Sequence, residues 1–324
     1  MPSSTPDTLG VREDAAYVAE QAQHVLIDPV ALDAVATALA AGSVQVPAWN
    51  AALHFTDGTW KTANYLLVLD GLNFSFWGEP RWTITYRGQT LRGYWALAAA
   101  LKRAIEEDCP IYDAQFMASC TIGELQQILR GEGDIPLLET RLAHLNHLGR
   151  TLLARYQGEF VHAIHACQHS AVALVRRILR DFAVFDDVTP YRGRLIRLYK
   201  RAQILPADLY GAFGGIGPGR FDDIHELTAF ADYKVPQVLE HLGIIRYAQA
   251  LGDKLANHIP LERHGVEELE IRAVTIHAVE LLRNALAAQG CSLNAVQVDW
   301  LLWEQGLTLG GVARPYHLTR TSAY

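Results

Sequence analysis

Cysteine is scarce in this chain, and the four that occur, Cys109, Cys120, Cys167 and Cys291, are scattered with no CxxC pair among them. That spacing excludes a zinc ribbon or a thioredoxin-type redox motif and fits reduced, buried thiols in a reducing compartment. Positive charge is also short. A net charge of −7 over 324 residues argues against a protein whose main work is gripping long nucleic acid, although a local basic pocket remains possible. Long apolar runs are missing: residues 65–70 (YLLVLD) make a short one that ends in Asp70, far below membrane-spanning length. The first residues after Met1 are polar, without a basic segment followed by an apolar one, so no signal peptide is readable. A cytoplasmic location is expected. No GxSxG is present, which leaves a serine-nucleophile triad unsupported.

What remains is an ordinary globular composition, half hydrophobic and about a fifth charged, long enough to build a core without staples. Residues 1–12 read as a frayed tail, and 13–324 as one compact unit with neither repeats nor a low-complexity linker. Helical patterns dominate. They run over 13–22 and over 28–41, the latter with Asp28 as cap and Pro29 in the first turn. Others cover 94–106, 113–118, 122–129, 136–154, 159–167 and 170–182. A further helical pattern over 194–213 should be disturbed by Pro206, and helices resume near 224, 235, 247, 266 and 293. The run 65–70 could be strand or helix, because periodicity does not separate them at that length. The segment 82–91 (WTITYRGQTL) is the best hairpin, turning at Arg87-Gly88. The expected fold class is mostly α with a small β-hairpin element.

Four stretches could carry chemistry. In 69–77 (LDGLNFSFW), Asp70, Asn73, Phe74, Phe76 and Trp77 combine edge-reading polar groups with stacking rings, a set that suits a planar base. The competing reading is a core turn with its rings packed inward. In 192–203 (RGRLIRLYKRAQ), five basic residues fall within ten positions. On a helix Arg194, Arg197 and Arg201 would share a face, with Lys200 beside Arg197, forming a patch fit for a phosphate or merely a solvated face. The loop 214–219 (GGIGPG) is not a dinucleotide fingerprint, since no strand precedes it and Pro218 is misplaced. In 227–239, Asp232 stands in a short turn at a helix start beside Lys234, where an N-cap is one reading; the stretch also resembles the helix-hairpin-helix region of base-excision DNA glycosylases, which implies a carboxylate serving a glycosidic carbon. His162, His165 and His169 recur at helical spacing but lack a carboxylate at ligand spacing, so no metal is expected.

Taken together, VLDGLNFSFW (68–77), YKRAQILPADLY (199–210), FADYKVPQVLEHLG (230–243), ELEIRA (268–273) and PYHLTRTSAY (315–324) resemble the queuosine salvage family, in order and across nearly the whole chain. The resemblance implies a helical fold similar to helix-hairpin-helix DNA glycosylases, acting on a free nucleotide. The implied reaction cleaves the N-glycosidic bond of queuosine 5′-monophosphate to queuine and ribose 5-phosphate. It uses no cofactor, no metal, no stable nucleic-acid partner and no membrane, and a monomer is expected. Cleavage of C1′–N9 builds positive charge on the ribose, which a carboxylate can stabilise while orienting water. Asp232 is the first candidate and Asp208 the second. Asp70 could pair with the amine on the base, and Asn73 could donate to its edge. Phe74, Phe76 and Trp77 could stack on it. Arg197, Lys200 and Arg201 could hold the phosphate, with Lys234 and His317 as further candidates. A DNA base glycosylase and a non-catalytic binder of a modified base are the alternatives.

Overall fold

A computed structural model describes residues 9–42 and 44–324. The chain opens with α1 (Val11–Gln21), β1 (Val25–Ile27), α2 (Pro29–Ala41) and α3 (Trp60–Gly71). Next come the hairpin β2 (Thr83–Tyr86) and β3 (Gln89–Arg92), then α4 (Gly93–Glu106), α5 (Ala114–Ser119) and α6 (Ile122–Ile128). The middle holds α7 (Leu138–Tyr156), α8 (Val161–His165) and α9 (Ala171–Asp181), then a second hairpin, β4 (Val188–Tyr191) and β5 (Arg194–Arg197). The remainder is α10 (Lys200–Ala212), α11 (Lys234–His241), β6 (Ile245–Tyr247), α12 (Gln249–Ala256), α13 (Val266–Ala288) and α14 (Ala295–Thr308). The expected class, mostly α with small antiparallel β pairs, holds.

Local chemistry explains many boundaries. Asp28 caps α2 by accepting from the backbone N–H groups of Val30 and Ala31, with Pro29 at the first turn as expected. Thr121 and Glu124 close a reciprocal capping box on α6. In the first hairpin Arg87 and Gly88 both take positive φ, 47° and 78°, the turn that matches strand twist.

Some sequence expectations need correction. Of the supposed tail, residues 1–8 lie outside the described ones, but 9–12 are built into the fold. Val11 opens α1 fully buried, and Arg12 pairs with Glu226 at 3.0 Å. The run 65–70 is helical, the buried half of α3, and it hides its period because every residue from 62 to 71 is buried whichever face it lies on. The helix expected over 194–213 begins only at Lys200. Arg194 and Arg197 belong to β5, which pairs with β4 across an Arg192-Gly193 turn with positive φ values of 47° and 81°. The i, i+3 spacing of the arginines imitated a helix, while the turn, Tyr-Arg-Gly as in the first hairpin, was the better signal. A third antiparallel pair, β1 with β6, also went unread because each strand has three residues. Pro206 does not break α10. It sits mid-helix, and the packing of ten consecutive buried residues against α3 and α9 outweighs the ~3 kcal/mol it costs.

Two apolar clusters form the core. One is built on α1, α3 to α10 and the first two hairpins, and the other on α2, α11 to α14 and the β1–β6 pair. No helix among the described residues is long and apolar enough to cross a membrane.

Candidate active site

Residues from both clusters line a cavity of about 1200 Å³. Lys200, Ile204 and Asp208 reach it from α10, Tyr94 and Trp95 from the start of α4, and Asp299, Trp300 and Trp303 from α14. The turn before α11 adds Phe230, Asp232 and Tyr233, and the C-terminal segment adds Tyr316 and Tyr324. The walls are largely aromatic. Trp49 stacks on His54 at 4.1 Å between ring centres, and Tyr94, Trp95 and Trp303 meet edge to face at 5.3–5.8 Å.

Asp232 stands at the start of α11 and also faces the cavity. Its Oδ1 accepts from the backbone N–H groups of Lys234 at 2.7 Å and Val235 at 2.9 Å, capping α11, while the residue lines the cavity. Burial raises its pKa, and the positive charge of Lys200 and the two amides oppose that rise. Lys200 is itself lowered by burial and held charged chiefly by Asp232. The two are thus each other's main electrostatic partner inside the protein.

A buried ion pair fixes both. Asp187 receives two charge-assisted bonds from Arg272, at 2.9 and 2.7 Å, and its Oδ2 also accepts from the backbone N–H of Lys200 at 3.0 Å. Arg272 donates its Nε to the Ala231 carbonyl at 3.0 Å, next to Asp232. Its guanidinium lies 4.2 Å from the centre of the Tyr324 ring. One side-chain pair therefore holds the start of α10, the turn that carries Asp232 and the C-terminal segment in register. ELEIRA, whose role was not readable in sequence, supplies Arg272 and Glu268 to this network.

Of the residues singled out in sequence, Asp232, Asp208, Asn73, Phe76, Trp77, Lys200 and Lys234 line the cavity. The others do not. Phe74 is fully buried against the guanidiniums of Arg141, at 4.3 Å from its ring centre, and Arg201, at 5.4 Å, and does not line the cavity. Asp70 is fully buried on α3 behind the wall, with neither carboxylate oxygen hydrogen-bonded, and burial and the nearby Asp208 drive its pKa well up. It does not reach the cavity to pair with a ligand amine. Arg201 donates to the carbonyls of Asp70, Gly71 and Val184, and Arg197 is bound to Asp14 at 2.6 Å. Neither is available to a phosphate in the cavity. Instead the mouth carries Arg81, from the segment before β2, and Arg92, the last residue of β3, beside Lys234. Arg81 meets Glu79 only at 4.0 Å, and Lys234 bonds Gln237 rather than a carboxylate. His317 is buried against the hydroxyl of Tyr324 at 3.0 Å, and it positions that ring instead of facing the cavity. His162 bonds the Tyr156 carbonyl, and no metal-binding cluster occurs among the described residues.

Sequence reasoning missed Asp299, whose Oδ1 accepts from the Phe230 N–H at 2.8 Å and whose pKa is driven well up by burial and by Asp232. It also missed the chain formed by Asn50, His54, Tyr94 and Asp208. His54 Nδ1 lies 2.8 Å from the Asn50 carbonyl, and its Nε2 2.9 Å from the Tyr94 hydroxyl, which lies 3.1 Å from Asp208 Oδ2. Burial pushes Asp208 up to about 7 and His54 down to about 4. Asn50 and His54 are neighbours, but Tyr94 lies 40 positions beyond His54 and Asp208 a further 114, and no motif spacing links them.

An aromatic cavity with cations on its rim, and with buried carboxylates whose pKa values burial raises, suits a small, flat, anionic ligand and acid–base chemistry. Comparison with known proteins narrows that class. The profile of queuosine salvage proteins matches residues 53–324. A relative from Sphaerobacter thermophilus, named queuosine 5′-phosphate N-glycosylase/hydrolase, is 54% identical over 318 residues, covering 98% of each chain. Relatives of the same name from Bos taurus (35% identical, 97% of this chain and 98% of the other) and Schizosaccharomyces pombe (32%, 91% and 90%) agree. The chain belongs to the queuosine salvage protein family.

Proposed function

We propose that this chain is an N-glycosidase that hydrolyses queuosine 5′-monophosphate to queuine and ribose 5-phosphate. The observation that carries the reading is Asp232. It presents a buried carboxylate to the cavity, fixed by two backbone amides and balanced by Lys200, in a chain whose relatives bear that activity in their names.

Departure of the base leaves positive charge at C1′ and the ring oxygen. A fixed carboxylate stabilises that charge without having to reorganise, and it accepts a proton from the attacking water. Lys200 favours the ionised form of Asp232 and opposes the upward shift that burial imposes on it. Asn73, Phe76 and Trp77 supply the wall for the heterocycle, with Tyr233, Tyr316 and the tryptophans of α4 and α14 closing the rest. Lys234, Arg81 and Arg92 take the 5′-phosphate at the mouth. The substrate is a free nucleotide, and no nucleic-acid partner is needed.

The test is product analysis. Purified protein incubated with queuosine 5′-monophosphate should release free queuine and ribose 5-phosphate in equal amounts, read by liquid chromatography and mass spectrometry. Intact nucleotide after prolonged incubation contradicts the reading.

A further inference from the structure

The hydrogen bonds around Asp208 can be counted, and the count specifies where a proton sits. The Asn50 carbonyl can only accept, so the bond at 2.8 Å requires His54 Nδ1 to carry the hydrogen. His54 is buried and neutral, which leaves Nε2 as a bare acceptor 2.9 Å from the Tyr94 hydroxyl. Tyr94 owns one hydrogen and has two neighbours, Nε2 and Asp208 Oδ2 at 3.1 Å. If that hydrogen points at Asp208, the lone pairs of Tyr94 and His54 face each other. If it points at Nε2, both contacts are satisfied, provided Asp208 donates a hydrogen of its own to the Tyr94 oxygen. The second arrangement satisfies every contact in the row from Asn50 to Asp208.

We propose that Asp208 is carried as the neutral carboxylic acid and is the proton donor to the departing base, with Tyr94 and His54 as the positioning residues that hold the proton there. The inference rests on the glycosidase reading of the same cavity. It gives the two sequence candidates, Asp232 and Asp208, opposite roles rather than alternative claims to one role. Residues 200 and 208 lie about 12 Å apart along α10, so Asp208 stands further along the cavity than the end at which Lys200 meets Asp232. The groups facing Asp208 are consistent with a retained proton. They are Asp70 and Tyr65 from α3, Tyr94 from α4, and Lys200 from its own helix. Lys200 is the one cation among them, and it is chiefly engaged with Asp232.

The step balances. The C1′–N9 bond breaks with its electron pair going to the heterocycle, which takes the proton of Asp208. The oxygen of water joins C1′, and the proton released from that water goes to Asp232. Solvent exchange then returns one proton from Asp232 to Asp208, and the net consumption is one water. A donor other than a simple contact at N7 is required, because queuine has carbon at that ring position.

Four measurements decide it. In wild-type protein kcat/KM should fall as pH rises through about 7. Asp208→Asn should abolish that fall and lower kcat on the order of 10²-fold or more. His54→Phe keeps a ring against Trp49 but removes the bare acceptor, freeing Tyr94 to donate to an ionised Asp208, so the fall should move to lower pH. Independently of turnover, the infrared difference spectrum of folded wild-type protein minus Asp208→Asn near neutral pH should show the stretch of one additional protonated carboxyl, above any contribution that Asp70 and Asp299 make to both. An alkaline fall that persists in Asp208→Asn, a profile unmoved in His54→Phe, or identical infrared spectra would overturn the proposal. A wild-type protein that releases no queuine contradicts the parent reading instead, and the infrared comparison still reports on the proton.

Discussion

At the residue scale the cavity separates cations that belong to the fold from cations left for a ligand. Arg194, Arg197 and Arg272 are each bound to a buried aspartate, and Arg201 to three carbonyls. Arg92 and Lys234 face the cavity without a carboxylate within 4 Å among the described residues. Replacing Arg92 by Ala should therefore raise KM for the nucleotide by about tenfold, as expected for one charge-assisted contact, and leave KM for the nucleoside nearly unchanged. Equal increases for both substrates would remove Arg92 from phosphate recognition. Sequence reading found Asp232, Asn73, Phe76, Trp77, Lys200 and Lys234 because each lies in a short stretch with its own chemical signature. It misplaced Arg197 and Arg201, since charge in a sequence does not reveal its partner. Asp14, which takes Arg197, is 183 positions away.

At the element scale, capping residues and tight turns were legible and strand pairs of three or four residues mostly were not. Thr121, Asp28 and Arg87-Gly88 act locally, so their signals are local. The β1–β6 pair joins residues more than two hundred positions apart, and nothing within either tripeptide specifies the other. α3 was ambiguous for a different reason: a helix buried on all sides loses the 3.6-residue alternation that identifies it. Close approach between helices offers a test. α7 packs on α5 at Gly149, where an added Cβ would strike the Ala118 backbone nitrogen and stand 2.6 Å from the Ala114 carbonyl oxygen. Gly149→Ala should destabilise the protein by ~1–3 kcal/mol or more, seen as a lower thermal unfolding temperature. An unchanged temperature would mean that α5 and α7 sit further apart than described here.

At the scale of the whole molecule, the site depends on buried charge, which gives stability a pH dependence. Asp70, Asp208 and Asp299 all have carboxyl groups raised by burial. A group raised in the folded state stabilises fully below its unfolded value, near 4, and loses that contribution as pH climbs through the folded value, about 7 for Asp208. Unfolding temperature should therefore fall between about pH 5 and pH 8, and Asp208→Asn should flatten the fall. A wild-type stability that rises over that window would show these groups ionised in the fold. The Asp187–Arg272 pair has the opposite character, because Asp187 is held below the usual carboxylate range by Arg272 despite its burial. Asp187→Asn leaves Arg272 buried with only Glu268, at 3.5 Å, as counter-charge and should cost about 3–5 kcal/mol, with loss of activity as the Ala231 and Lys200 anchors loosen. Activity and stability that both survive would show that this pair does not organise the site.

The central claim is that the carboxylate of Asp232 acts at the anomeric carbon of a nucleotide held in this cavity. Asn preserves the size of the side chain and the oxygen that caps α11, and removes only the charge. The decisive measurement is kcat for queuine release by Asp232→Asn at saturating queuosine 5′-monophosphate, with unfolding temperature recorded on the same sample. The account predicts a wild-type-like unfolding temperature and a kcat lowered by on the order of 10²-fold or more. A folded Asp232→Asn that turns over at the wild-type rate would contradict it.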